Sequence, residues 1–128
     1  IASCLVGSEM CIRDSGSIMY DFVNGKTTIC DIDLFRKQPC VNDMGHMWGS
    51  SRFQSPEEHQ LGADIDEITN VYTLGATAFA LFGEYNRTRE KWQLSDKLFE
   101  IATRAVSDDR ANRQQTIRQF TAEWEAAQ

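Results

Sequence analysis

The stretch ITNVYTLGATAFALFG, residues 68–83, presents small or apolar side chains almost all the way round a helical wheel. A helix of that kind has no polar face to turn to water, so it belongs inside a domain. The rest of the chain must therefore wrap around it. The spacing predicts a buried helix over 69–82, with Gly83 suited to its C-cap. With 41% hydrophobic residues in 128, the chain is long enough for one compact core and too short for two ordinary domains.

The segments on either side can supply that cover. Downstream, Ser95 is an N-cap candidate, and Leu98, Ile101, Ala102 and Ala105 recur at helical spacing, which predicts a helix over 96–106. The acidic turn SDDRAN follows, and Ile117, Phe120 and Trp124 mark the stripe of a last helix over 114–126. Upstream, IMYDFV and TTICDI flank Asn24-Gly25-Lys26, and Asn-Gly favours a type I′ turn. A β-hairpin is expected over 18–31, with strands at about 18–22 and 28–31. Residues 32–60 hold both prolines, Pro39 and Pro56, without sustained periodicity, so a long irregular segment is expected there. Such segments inside compact domains are usually functional or disordered. The fold class is mainly α with a small β-hairpin.

Charge narrows the function. A net charge of -6 without a Lys/Arg cluster argues against a nucleic-acid partner. No apolar run approaches the roughly 20 residues that span a bilayer. Cys30 and Cys40 show no metal-binding or CxxC spacing, and two reduced thiols in a cytoplasmic protein are expected. The opening IASCLVGSEMCIRDS, residues 1–15, has neither the basic start nor the long apolar run of a secretory signal. It resembles translated sequencing-adapter read-through and is expected to contribute nothing to the fold, Cys4 and Cys11 included. His46 and His59 read as ordinary loop residues. In TTICDID, the period-2 rule would set Asp31 and Asp33 on one sheet face, where like charges oppose each other. The strand is therefore expected to end at Asp31.

In order, hairpin, long loop, buried helix and amphipathic helices resemble the second half of the C-terminal lobe of a serine/threonine protein kinase. Four stretches carry the likeness over nearly all of residues 16–128. ICDID resembles the strand ending in the metal-binding Asp-Phe-Gly element. GSSRFQSPEE resembles the end of an activation segment, where Gly-Thr is followed by Ala-Pro-Glu. NVYTLGATAFALFG resembles the central helix beginning Asp-Val-Tyr-Ser-Leu-Gly, and SDDRANRQQTIRQF the Asp-Pro-x-x-Arg approach to the last helix.

The resemblance implies a fragment of a phosphotransferase that moves a phosphoryl group from Mg²⁺-ATP to a hydroxyl on a protein or small molecule. By it, Asp31 is the metal carboxylate and Ser17 stands where the second metal ligand, an Asn, is usual. Ile32 and Asp33 replace Phe and Gly, and Asp33 is either a further ligand or a surface acid. The catalytic base would fall at Ile12, inside the adapter-like segment. The Gly-rich loop and strand lysine have no counterpart here, so the chain alone is expected neither to bind ATP tightly nor to turn over. Ser50 matches a threonine that touches the base, with Ser51 and Ser55 flanking it as further hydroxyls open to phosphate. Glu57 and Arg113 are implied to pair across the lobe. Asn70 replaces an Asp at the start of the central helix, keeping an acceptor oxygen and N-cap chemistry. These departures leave open a binding or scaffold protein of the same fold. Arg36, Lys37 and Arg52, in the long segment, are candidates to meet phosphate or an acidic substrate.

Overall fold

The computed structural model describes residues 18–29, 37 and 39–128 of the chain. Two small antiparallel sheets precede and flank a mainly helical body. The first pairs β1 (Ile18–Asp21) with β2 (Lys26–Ile29), and the second pairs β3 (Cys40–Val41) with β4 (Asp64–Ile65). Three helices follow: α1 (Glu67–Phe82), α2 (Asp96–Ala105) and α3 (Ile117–Ala126). Short 3-10 turns stand at Pro56–His59, Arg89–Lys91 and Arg110–Asn112. No helix among the described residues is long and apolar enough to cross a membrane.

Helix α1 is the buried pillar that its composition requires. It is buried continuously from Thr69 to Phe79, with one core on each side. Tyr72, Ala76 and Phe79 pack with Phe53, Trp92, Leu98 and Ala102, while Val71 and Leu74 pack with Ala105, Ile117 and Phe120. The helix starts two residues earlier than expected because Asp66, not Asn70, caps it. The Asp66 carboxylate accepts from the amides of Ile68 and Thr69 at 2.9 and 3.4 Å, and the Thr69 hydroxyl accepts from the Asp66 amide at 3.3 Å. Asn70 lies inside the helix and is buried, so its expected N-cap role is corrected. At the far end Gly83 is the C-cap, its amide donating to the Phe79 carbonyl at 2.9 Å.

Gly75 sets the distance between α1 and α2. A Cβ there would lie 2.7 Å from the Ala105 Cβ and 3.0 Å from both the Ala102 carbonyl oxygen and the Val106 Cγ1. Alanine normally improves a helix interior by about 1 kcal/mol over glycine. Overpacking a close crossing costs about 1–3 kcal/mol, and here a backbone oxygen bounds the space. Gly75→Ala is therefore expected to lower the urea midpoint, a net loss of up to about 2 kcal/mol. A raised midpoint would mean that the helices separate without cost.

Three boundaries differ from expectation. The hairpin closes through four residues, 22–25, since Asp21 pairs with Lys26 in register. The Asp21 carboxylate gathers the turn, accepting from the amides of Val23 and Asn24 at 2.9 and 3.2 Å and from the Asn24 side chain at 2.6 Å. Only Gly25 takes positive φ, at 63°, so the two-residue type I′ turn is not formed and β2 begins at Lys26. Helix α3 begins at Ile117, not 114, because the Thr116 hydroxyl caps it by accepting from the Gln119 amide at 3.0 Å. Within the long segment, β3 pairs with β4 in the register Cys40 to Ile65, and a 3-10 turn forms at Pro56. Strands of two residues are too short to leave a periodic trace in sequence.

Candidate functional site

The second sheet and the 3-10 turn bring residues 42–60 onto the start of α1, and two buried polar residues fix them there. Asn42 is the first. Its carbonyl oxygen accepts from the Met44 and Gly45 amides at 3.1 and 3.0 Å, a side-chain turn completed by Gly45 at φ 78°. Its amide nitrogen donates to the carbonyls of Gly45, Glu57 and Glu58 at 3.2, 3.2 and 3.0 Å. One side chain thus ties the start of the loop to its end. The Asn-x-x-Gly spacing of VNDMG was the available sequence signal for it, and sequence reasoning passed it over.

Glu57 is the second. The Arg113 guanidinium meets its carboxylate in a two-pronged contact, Nη1 to Oε1 at 2.7 Å and Nη2 to Oε2 at 3.0 Å. Both side chains are buried, that of Arg113 completely. The remaining Arg113 donors go to backbone carbonyls, Nε to Ser107 at 2.7 Å and Nη2 to Asp108 at 3.3 Å. Its guanidinium also lies 4.9 Å from the Tyr72 ring centre. Thr69 donates its hydroxyl to Glu57 Oε1 at 3.0 Å, and Arg110 Nη1 approaches the same oxygen at 3.1 Å. Arg110 Nη2 reaches Asp66 Oδ2 at 2.7 Å, so the carboxylate that caps α1 belongs to the same network. Burial alone would raise the Glu57 carboxyl. The Arg113 hydrogen bond, one from the backbone amide of Glu57 itself, the Arg113 charge and the Thr69 hydroxyl together outweigh it and hold the group below the ordinary glutamate range.

The expected Glu57–Arg113 pair is therefore present in the molecule, and Arg110 joins it. Ser50 is half-buried, with its carbonyl accepting from the Phe53 amide at 3.0 Å, and Ser51 is exposed. Ser55 departs from expectation as a hydroxyl open to phosphate: it is fully buried, and Glu58 Oε2 accepts from its amide at 2.8 Å and its hydroxyl at 3.1 Å. The His46 and His59 rings meet edge to face, 4.6 Å between centres, and His46 Nδ1 lies 2.9 Å from the Met47 carbonyl. Cys40 is a free, half-buried thiol. Ile12, Ser17, Cys30, Asp31, Ile32, Asp33 and Arg36 lie outside the described residues, so the expected base, nucleotide and metal positions do too. Among the described residues no cluster of three or more His, Cys, Asp or Glu could hold a metal ion.

As a unit, residues 42–60 form a platform whose two ends are fixed and whose middle, at Ser51 and Arg52, reaches the surface. Chemically it can present a ligand; its one described hydroxyl donating to a carboxylate of the platform from within it, Ser55 on Glu58, is buried away from any substrate. No protein-family model matches the chain, and no curated protein matches it.

Proposed function

We propose that the chain is the C-terminal lobe portion of a protein-kinase-like phosphotransferase, presenting a serine or threonine hydroxyl to Mg²⁺-ATP. The buried Glu57–Arg113 pair is the observation that supports this most. Motif likeness alone matched these two residues as partners, and they meet through two hydrogen bonds across 56 positions of chain. The arrangement around them agrees: a buried central helix, a loop fixed to its first turn, and an arginine delivered from the approach to the last helix.

Asp31 would hold the metal, with Ser17 and Asp33 as weaker candidates beside it. Two carboxylates and a hydroxyl are hard oxygen donors, the class Mg²⁺ takes beside phosphate and water. A metal held there would supply electrostatic stabilisation of the charge that develops as the phosphoryl group is transferred. The chain's own contribution on the acceptor side is positional. Asn42 and Glu57 hold the platform, and the platform holds the acceptor in line.

A binding or scaffold protein of the same fold is the second reading. Ser17 for Asn, Ile32-Asp33 for Phe-Gly and Asn70 for Asp favour it, since each weakens the usual metal and catalytic-loop contacts. Labelled-phosphate transfer separates the two. In a protein carrying this chain behind a nucleotide-binding lobe, Mg²⁺-ATP-dependent transfer to a hydroxyl is expected, and Asp31→Ala should reduce it roughly 100-fold or more. An unchanged rate would reject Asp31 as the metal carboxylate. No transfer from the parent protein would leave the scaffold reading.

A further inference from the structure

At the exposed middle of the platform and on the turn after α1, two arginines have no acid partner among the described residues. Arg52 lies with its guanidinium 5.1 Å from the Tyr85 ring centre, and Arg87 with its own 5.3 Å from that of Tyr72. Arg87 is held further by Nη1 donating to the Tyr72 hydroxyl at 3.0 Å and Nη2 to the Arg52 carbonyl at 3.4 Å. The Arg87 side chain thus reaches the Arg52 backbone, from a segment far away in sequence. Among the described residues every ion pair lies elsewhere, and none involves Arg52 or Arg87. Glu84, the acid closest to Arg87 in the turn, is engaged by Lys91 at 3.2 Å. In a chain of net charge -6, two cations linked in this way, beside aromatic rings and without an acid partner among the described residues, are a local reversal of sign.

The backbone that places them is strained. Glu84 and Tyr85 adopt φ of 53° and 62°, and they are the only non-glycine residues of the described chain to do so. Left-handed conformation in consecutive non-glycine residues costs of order 1–3 kcal/mol each and persists where surrounding structure over-determines it, often at ligand-binding positions. Here the turn carries the Tyr85 ring under Arg52 and leads directly into Arg87.

We propose that Arg52 and Arg87 form a clamp for the carboxylates of an acidic peptide. Held beside aromatic rings, Arg52 keeps its guanidinium N–H groups, and Arg87 keeps Nε and the second hydrogen of each Nη, for bonds to carboxylate, and holding them in place beforehand lowers the ordering cost of binding. The clamp lies on the platform between Ser50 and Phe53, so it rests on the phosphotransferase reading only for its role, which is to select acceptor peptides carrying Asp or Glu near the hydroxyl.

Fluorescence anisotropy of the 128-residue chain with a labelled, glutamate-rich peptide containing one serine tests the binding directly. The peptide should bind at least roughly tenfold more tightly than its glutamine and lysine analogues. Arg52→Gln or Arg87→Gln should each weaken it about fivefold, with unchanged circular dichroism because both side chains are exposed. Arg52→Glu with Arg87→Glu should transfer the preference to the lysine analogue. Equal binding of the glutamine analogue, an undiminished affinity in the doubly reversed variant, or tighter binding of a short oligonucleotide would each overturn the clamp. Its fate is separable from that of the phosphotransferase: selective binding without phosphate transfer removes only the catalytic reading, and transfer indifferent to peptide charge removes only the clamp.

Discussion

Glu57→Gln should destabilise the fold by about 3–5 kcal/mol, the cost of leaving a buried charge without its partner. The buried Arg113 head loses its counter-charge, and the amide presents a donor where Nη2 requires an acceptor. Since domains of this kind have about 5–15 kcal/mol in total, the variant should be marginal, with a urea midpoint far below that of the parent. The contrast is the exposed Arg104–Glu123 pair, where Arg104→Gln should cost about 0–1 kcal/mol. A second variant keeps the test sharp if the first fails to fold. Glu57→Met with Arg113→Met removes both charges and should be less destabilised than Glu57→Gln, because no uncompensated ion remains at that pair.

Acid titration gives the same group a separate signature. The Glu57 carboxyl lies below its unfolded value in the native state, so its contribution is present above that unfolded value and is lost as pH falls through it toward the folded one. Stability of the parent should therefore decline from about pH 5 downward. Glu57→Gln should flatten that limb without abolishing it. Glu123, whose carboxyl burial would raise but Arg104, Gln114 and Gln119 together lower, retains a share. A Glu57→Gln protein within about 1 kcal/mol of the parent, with the acid slope intact, would show that the Ser107 and Asp108 carbonyls suffice to hold Arg113.

What could be read beforehand follows the range of the interactions. Helix α1 was legible because burial on all sides leaves its mark on every residue of the stretch. The N-cap of α2 was legible at Ser95 because a cap acts within three residues. Periodicity carried α3, but a stripe that starts at Ile117 does not fix where the first turn begins, and the expected start at 114 is three residues early. Gln114 instead turns inward, donating to the Ile101 carbonyl and to Glu123, each at 3.2 Å. Two-residue strands, the Asn42 hub and the convergence of Arg52 with Arg87 depend on contacts between distant segments, and no local pattern encodes those. The Glu57–Arg113 pair is also distant. It was reachable only through likeness of motifs, each short and weak taken singly.

Phe79→Ala should cost about 3–5 kcal/mol, through lost burial and the cavity that remains. Phe79 is among the largest fully enclosed side chains of α1, and its ring lies 5.2 Å from that of Trp92 and 5.7 Å from that of Phe99. Trp92 in turn meets Phe82, Phe99 and Trp124 at 6.2, 5.8 and 6.3 Å. One ring therefore supports a cluster that joins α1, α2, α3 and the connection between the first two. Collapse around the vacancy is limited, because the Trp92 indole is fixed by donating to the Ser95 carbonyl at 3.0 Å. Leu81 stands two residues on in the same helix but is 49% exposed, and Leu81→Ala should stay within about 0.5 kcal/mol. Urea unfolding followed by tryptophan fluorescence should separate the two variants by several kcal/mol at similar slope, and near-ultraviolet dichroism should lose aromatic signal only in Phe79→Ala. Equal midpoints for the two would mean that the ring cluster is not the keystone of the helical body, and that α1 is held chiefly by the polar network at its first turn.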